Sequence, residues 1–74
     1  MDEARTLSKL GKAIRERRAA SGMAQESFAD SISMHRAQYS KIERGETNVT
    51  ILTLRKVAKG LGTTVSHLVE LAKI

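Results

Sequence analysis

The sequence predicts an all-α domain of five short helices, and three observations carry that prediction. Apolar residues recur at three- and four-residue spacing in five successive stretches, whereas no stretch alternates apolar and polar strictly enough for a strand. Proline is absent and the five glycines are sparse, so the punctuation that hairpins need is missing. A chain of 74 residues, 41% of them hydrophobic, makes one domain (1–74, with 1–6 expected as a flexible lead) around a thin core.

The first helix is expected from about Leu7 to Ser21, because Leu7, Leu10 and Ile14 share one face and Gly22 suits a left-handed cap. A second, about Gln25 to Ile32, buries Phe28, Ala29 and Ile32. Its cap position holds Ala24, which offers the first-turn amides no side-chain acceptor and leaves them open to an external anion. Ser33-Met34-His35 forms a break with Met34 as its apolar plug. A third helix runs from Arg36 to Arg44, with Tyr39 and Ile42 inward and Gly45 as its stop. After a polar loop, Thr50 caps a fourth helix, Ile51 to Leu61, whose stripe is Ile51, Leu54, Val57, Ala58 and Leu61. Gly60 within it costs about 1 kcal/mol relative to alanine. Thr64 caps a fifth, Val65 to about Lys73, with Val65, Leu68, Val69 and Ala72 on one face.

Composition narrows the function. Thirteen Lys and Arg against eight Asp and Glu give a formal charge of +5, which suggests a polyanionic partner, nucleic acid before an anionic membrane surface. The absence of cysteine excludes a disulfide framework, a thiolate metal site and a thiol nucleophile. Phe28 and Tyr39 are the only aromatics, too few for a base-stacking platform. No apolar run approaches a membrane span, and the acidic start is unlike a secretory signal, so the expected compartment is the cytoplasm. His35 and His67 lack the further ligands a metal site requires. Asp30, Glu43, Glu46 and Glu70 fall on separate elements, which argues against an enzyme. Neither a cofactor nor a small-molecule ligand is expected.

Two short helices joined by about three residues, the second with a polar outer face, describe a helix-turn-helix. The specific text is Leu10-Gly11 with Ile14-Arg15, Gly22-Met23-Ala24-Gln25-Glu26-Ser27-Phe28-Ala29, Ser40-Lys41-Ile42-Glu43-Arg44-Gly45, and Leu54 with Val57-Ala58 and Leu61. It resembles the Cro/phage-repressor-type helix-turn-helix family over residues 7 to 70. Within that family, His35-Arg36, Ile42-Glu43-Arg44-Gly45-Glu46 and Asn48-Val49-Thr50 are similar to the controller proteins of restriction–modification systems. The chain departs from the pattern at Ala24, where a hydroxyl residue usually caps, at Ser33, where glycine usually turns, and at Arg17, Ala37 and Gln38. The last two lie where bases would be read, so the operator sequence is not carried over.

A recognition helix enters a major groove about 12 Å wide by its N-terminal turn. Arg36, Ala37, Gln38 and Lys41 are then the candidate base contacts: Arg36 for guanine, Ala37 for a thymine methyl, Gln38 for adenine, Lys41 for guanine or phosphate. The resemblance implies a phosphate clamp at Gln25. Ser40, Arg44, Thr47, Asn48 and His35 are further phosphate candidates, joined by Arg15 and Arg17 on the first helix and by Arg55, Lys56 and Lys59 on the fourth. Each has a plain alternative as part of a solvated polar face. Charge is uneven: Arg5 to Arg18 holds six bases and one acid, whereas Gln25 to Asn48 holds three bases and four acids. Arg18 falls in register with the first core stripe and Glu43 borders the third, which pairs them as a buried structural ion pair, as the resemblance also implies.

Leu52, Leu71 and Ile74 lie off the core faces and are the candidate dimer interface. The resulting expectation is a sequence-specific, homodimeric regulator on palindromic double-stranded DNA, with half-sites about 34 Å apart. RNA polymerase is a further candidate partner. Two alternatives stand beside it: an antitoxin or other interaction module that binds DNA secondarily, and a membrane-surface helix, for which the apolar face of the first helix is already needed by the core.

Overall fold

In the computed structural model, which describes residues 2–74, the helices are α1 (Glu3–Ala20), α2 (Gln25–Ser31), α3 (Arg36–Glu43), α4 (Ile51–Gly60) and α5 (Val65–Ala72). There is no strand among the described residues. The α1 helix begins four residues before the expected start at Leu7, so residues 3–6 belong to it rather than leading into it. The cause is a cap: Asp2 Oδ1 accepts the Ala4 N–H at 3.0 Å, and Glu3 in the first turn complements the helix dipole. Met1 lies outside the described residues. The other helices begin where the sequence places them and end within two residues of it.

Thr50 and Thr64 cap α4 and α5 as expected, accepting the N–H groups of Thr53 at 3.2 Å and His67 at 3.1 Å. The α2–α3 turn is made by Ile32 to His35. Ser33 takes a left-handed φ of +55°, the conformation that favours glycine and explains why glycine is the usual residue there. Met34 is buried and its N–H returns to the Ala29 carbonyl at 2.9 Å, which plugs and closes the turn.

The core is one cluster: Leu10, Ala13 and Ile14 from α1, Phe28, Ala29, Ile32 and Met34 from α2 and its turn, Tyr39 and Ile42 from α3, Leu54, Val57, Ala58 and Leu61 from α4, and Leu68 and Ala72 from α5. Phe28 and Tyr39 stack tilted at 5.1 Å beneath the helix pair. Two glycines set how closely the helices approach. A Cβ on Gly11 would lie 2.5 Å from the Glu43 and Ile42 carbonyl oxygens, so only glycine lets α1 cross the end of α3. A Cβ on Gly60 would lie 2.5 Å from Ile32 Cγ2 and 3.1 Å from Phe28. The helix-propensity cost at Gly60 is therefore the condition for close packing of α4 on α2.

Four core expectations change. Ile51, placed in the α4 stripe, is 63% exposed, because the first turn of α4 extends beyond the core and burial starts at Leu54. Leu7, Val65 and Val69 are half-buried, and of these Val65 packs against the core.

Candidate nucleic-acid interface

The α3 helix buries Tyr39, Ile42 and Glu43 and turns the rest of its surface outward. His35, Arg36, Ala37 and Gln38 are four consecutive exposed residues, so the leading end of α3 stands free of the protein; Lys41 and Arg44 extend the exposed face. Eight residues make a rod about 12 Å long. Capping divides the helices in a way that matters here. Asp2, Thr50 and Thr64 cap α1, α4 and α5 by side-chain hydrogen bonds. At α2 and α3 the cap positions are Ala24 and His35, and neither side chain accepts a bond, so both helices of the pair keep unsatisfied first-turn amides. His35 thus occupies the cap position of α3 without a side-chain capping bond.

The pair is locked from below by Arg18 and Glu43. The Glu43 side chain is 1% exposed and that of Arg18 13%. Arg18 Nε donates to Glu43 Oε2 at 2.6 Å and its second terminal nitrogen to Oε1 at 3.1 Å, a bidentate fork. The remaining terminal nitrogen donates to the Met23 carbonyl at 2.7 Å, tying the α1–α2 loop to the same pair. Burial works to raise the Glu43 carboxyl, but the hydrogen bonds from Arg18 and Gln25 outweigh it and hold the group below its ordinary value; the same fork raises Arg18. Burial, then the adjacent Glu43 carboxylate, pushes the Tyr39 phenol well above its usual range. That hydroxyl lies beside Glu43 without meeting hydrogen-bond geometry.

Gln25 takes part in this lock. Its Nε2 donates to Glu43 Oε1 at 3.0 Å, which commits one of its two amide N–H groups to the protein. This bond is a role beside the phosphate clamp and the solvated helix start that the sequence suggests for Gln25. The signal was available: a buried carboxylate has about four lone-pair sites, and one arginine fills only two.

Arg36 is exposed yet held. Its Nε and one terminal nitrogen donate to Asp30 Oδ1 and Oδ2 at 3.2 and 2.7 Å, and the other terminal nitrogen reaches Glu26 Oε2 at 3.4 Å. The hydrogen bond from Arg36 lowers the Asp30 carboxyl, and the same bond raises Arg36. Arg44 is likewise engaged, with the Ser40 hydroxyl and with Glu46 at 3.0 Å. The helix pair therefore neutralises much of its own charge, as the acid excess in this segment implied.

Of the remaining phosphate candidates, Arg15 and Asn48 are exposed, and Arg17, Ser40 and Thr47 are half-exposed. The candidate dimer residues do not form the expected set. Leu52 is 71% exposed and, with Val65, Arg55, Lys56 and Lys59, lines an open groove between α4 and the start of α5. Leu71 is exposed but lines a different groove, beside Lys9, Lys12 and Glu16 of α1. Ile74 packs against the protein's own core, because the chain turns left-handed at Lys73 (φ +60°) and brings the last residue back onto it. Ile51, next to Leu52, is the exposed apolar residue that periodicity misassigned to the core.

The helix-turn-helix family profile matches residues 14–68, most of the chain. Control protein C.MunI of Mycoplasma sp is 48% identical over 46 residues, covering 62% of this chain and 62% of that protein, so the match spans less than two thirds of its length. Control protein C.BamHI of Bacillus amyloliquefaciens is 35% identical over 65 residues, covering 86% of this chain and 80% of its own. Among solved structures, the restriction–modification controller protein C.Esp1396I, crystallised as a tetramer with its natural 35 base-pair operator, superposes with a TM-score of 0.79 at 32% identity, over 93% of this chain and 96% of that one. The same helix pair, uncapped and locked beneath by Arg18–Glu43, lies within the matched span. The chain belongs to the Cro/phage-repressor-type helix-turn-helix family, among relatives that are restriction–modification controllers.

Proposed function

We propose that this protein is a DNA-binding transcriptional regulator of the restriction–modification controller kind, acting by binding and not by catalysis. The observation that carries the reading is the free leading end of α3: four consecutive exposed residues, an uncapped first turn, and a rigid buried underside. In this reading Arg36, Ala37, Gln38 and Lys41 meet base edges, and Ser40, Arg44, Thr47, Asn48 and the basic residues of α1 position the backbone. The C.Esp1396I assembly supports it, as a relative of the same fold seated on an operator.

The protein acts as a homodimer in this proposal. Its longest dimension is 32 Å and it presents one recognition helix, so a single copy cannot read two half-sites about 34 Å apart. The exposed Ile51 and Leu52 supply the apolar contact, at the α4 end of the molecule.

The test is selection of bound duplexes from a random-sequence pool, with wild type and Arg36→Ala in parallel. Wild type is expected to enrich a two-fold-related motif, and Arg36→Ala to lose preference at one position per half-site. A pool that yields no motif refutes sequence-specific regulation. A salt titration should fall with a slope of about −0.9 per phosphate contact, and a flat curve would remove the electrostatic component.

A further inference from the structure

We propose that Asp30 is a specificity-determining positioning residue: from the last turn of α2 it holds Arg36 in the pose in which that arginine reads a base. The proposal rests on α3 reading a duplex and adds a residue that touches no DNA itself.

The geometry distinguishes the two edges of the guanidinium. Asp30 is bonded to Nε and to one terminal nitrogen, at 3.2 and 2.7 Å, so it occupies the side edge. An arginine has five N–H groups in a rigid fork. The end edge, formed by one N–H from each terminal nitrogen, stays directed away from Asp30, with only the long 3.4 Å contact to Glu26 near it. That end edge matches the O6 and N7 acceptors of guanine. An arginine free in solvent must lose its rotamer freedom when it binds. Here the fork is oriented before DNA arrives, by a carboxylate on a neighbouring helix whose position the turn at Met34 fixes.

Charge adds a second consequence. Glu26 and Asp30 set two acids against one cation at the leading end of α3. Backbone phosphate, common to every sequence, meets a net negative patch there, whereas a guanine edge meets two aimed donors. The arrangement penalises generic contact and leaves the sequence-dependent one, and so raises the ratio of specific to non-specific binding. Since the side chains of Arg36 and Asp30 are 58% and 55% exposed, the pair contributes little to folding, so removing it leaves the scaffold intact.

The experiment compares wild type, Asp30→Asn, Asp30→Ala, Arg36→Ala and the double variant Asp30→Ala/Arg36→Ala. Each is run on the random-sequence duplex pool and then on the enriched duplex against the same duplex changed at the position that Arg36→Ala relaxes. Thermal unfolding of each variant serves as the folding control. Discrimination at that position is expected to fall about tenfold in Asp30→Ala and by less in Asp30→Asn, which keeps one acceptor. Binding to duplex of unrelated sequence should rise in both. In the Arg36→Ala background, Asp30→Ala should leave discrimination unchanged. Equal discrimination in wild type and Asp30→Ala overturns the proposal. Tighter and sharper binding by Asp30→Ala also overturns it, since Asp30 would then be a competitor for Arg36 and not its support. If wild type enriches no motif, the DNA-reading function itself falls; a wild-type motif that Asp30 variants preserve refutes only the role of Asp30.

Discussion

Replacing Arg18 by methionine tests how the helix pair is held. Methionine keeps much of the length of the arginine stem and removes the fork. Glu43, 1% exposed, would lose its bonds at 2.6 and 3.1 Å and keep only the Gln25 amide at 3.0 Å. The Met23 carbonyl would lose its donor as well. Removing one partner of a buried pair costs about 3–5 kcal/mol. A domain of 74 residues has roughly 4–11 kcal/mol in total, at about 0.05–0.15 per residue. Arg18→Met is therefore expected to remove about a quarter or more of the stability, and to lower Tm by more than about 12 °C.

The pH dependence gives a second, independent readout. In the wild type the Glu43 carboxyl lies below its ordinary value. Its stabilisation is thus complete above the unfolded value, about 4.3, and is lost as pH falls through the lower folded value. Without Arg18, burial dominates and the folded value rises above the unfolded one. The sign reverses: the variant should gain stability, relative to neutral pH, as acidity approaches pH 5, where the wild type gains nothing from this group. Urea unfolding followed by far-ultraviolet circular dichroism at both pH values measures this. Adding Glu43→Gln to Arg18→Met should recover part of the loss, because the stranded charge is gone. A single variant within about 1 kcal/mol of wild type at neutral pH, with an unchanged acid limb, would refute the buried-pair account.

Three shorter expectations accompany it. Gly11→Ala places a Cβ 2.5 Å from two backbone carbonyl oxygens of α3, so α1 and α3 must separate; a loss of more than about 2 kcal/mol in urea unfolding is expected. Ser33→Gly removes a side chain from a residue at φ +55° and should gain up to about 1 kcal/mol, with duplex binding unaltered; a loss would show that the serine side chain contributes more than its strain costs. Leu52→Glu places an acid on a residue 71% exposed, so monomer stability should stay within about 0.5 kcal/mol while sedimentation shifts toward monomer. Unchanged sedimentation would refute the dimer contact proposed at Leu52.

The pairing of Arg18 with Glu43 spans 25 residues and was legible from the cost of an unpaired charge in an apolar stripe together with the family resemblance. Local rules sufficed for the five helices, their order and the caps at Thr50 and Thr64, which rest on periodicity or on a hydroxyl before an apolar run and act over one or two helical turns. The outward face of α3 was legible for the same reason, since Arg36, Ala37, Gln38 and Lys41 lie off the azimuth of Tyr39 and Ile42. Other features that depend on neighbours far along the chain came only from the assembled fold. Periodicity put Ile51 in the core and Ile74 on the surface, whereas packing exposes the first and half-buries the second against the core, because burial depends on where an element ends relative to its neighbours. Gly11 and Gly60 looked like costs or neutral letters until the crossing helices showed that a Cβ has no room. Gln25 on Glu43, and Asp30 and Glu26 on Arg36, join α2 to α3 through hydrogen bonds whose formation depends on the angle between the two helices. That angle is set by the shared core around Phe28, Tyr39 and Met34, a property of all five helices together and of no single segment.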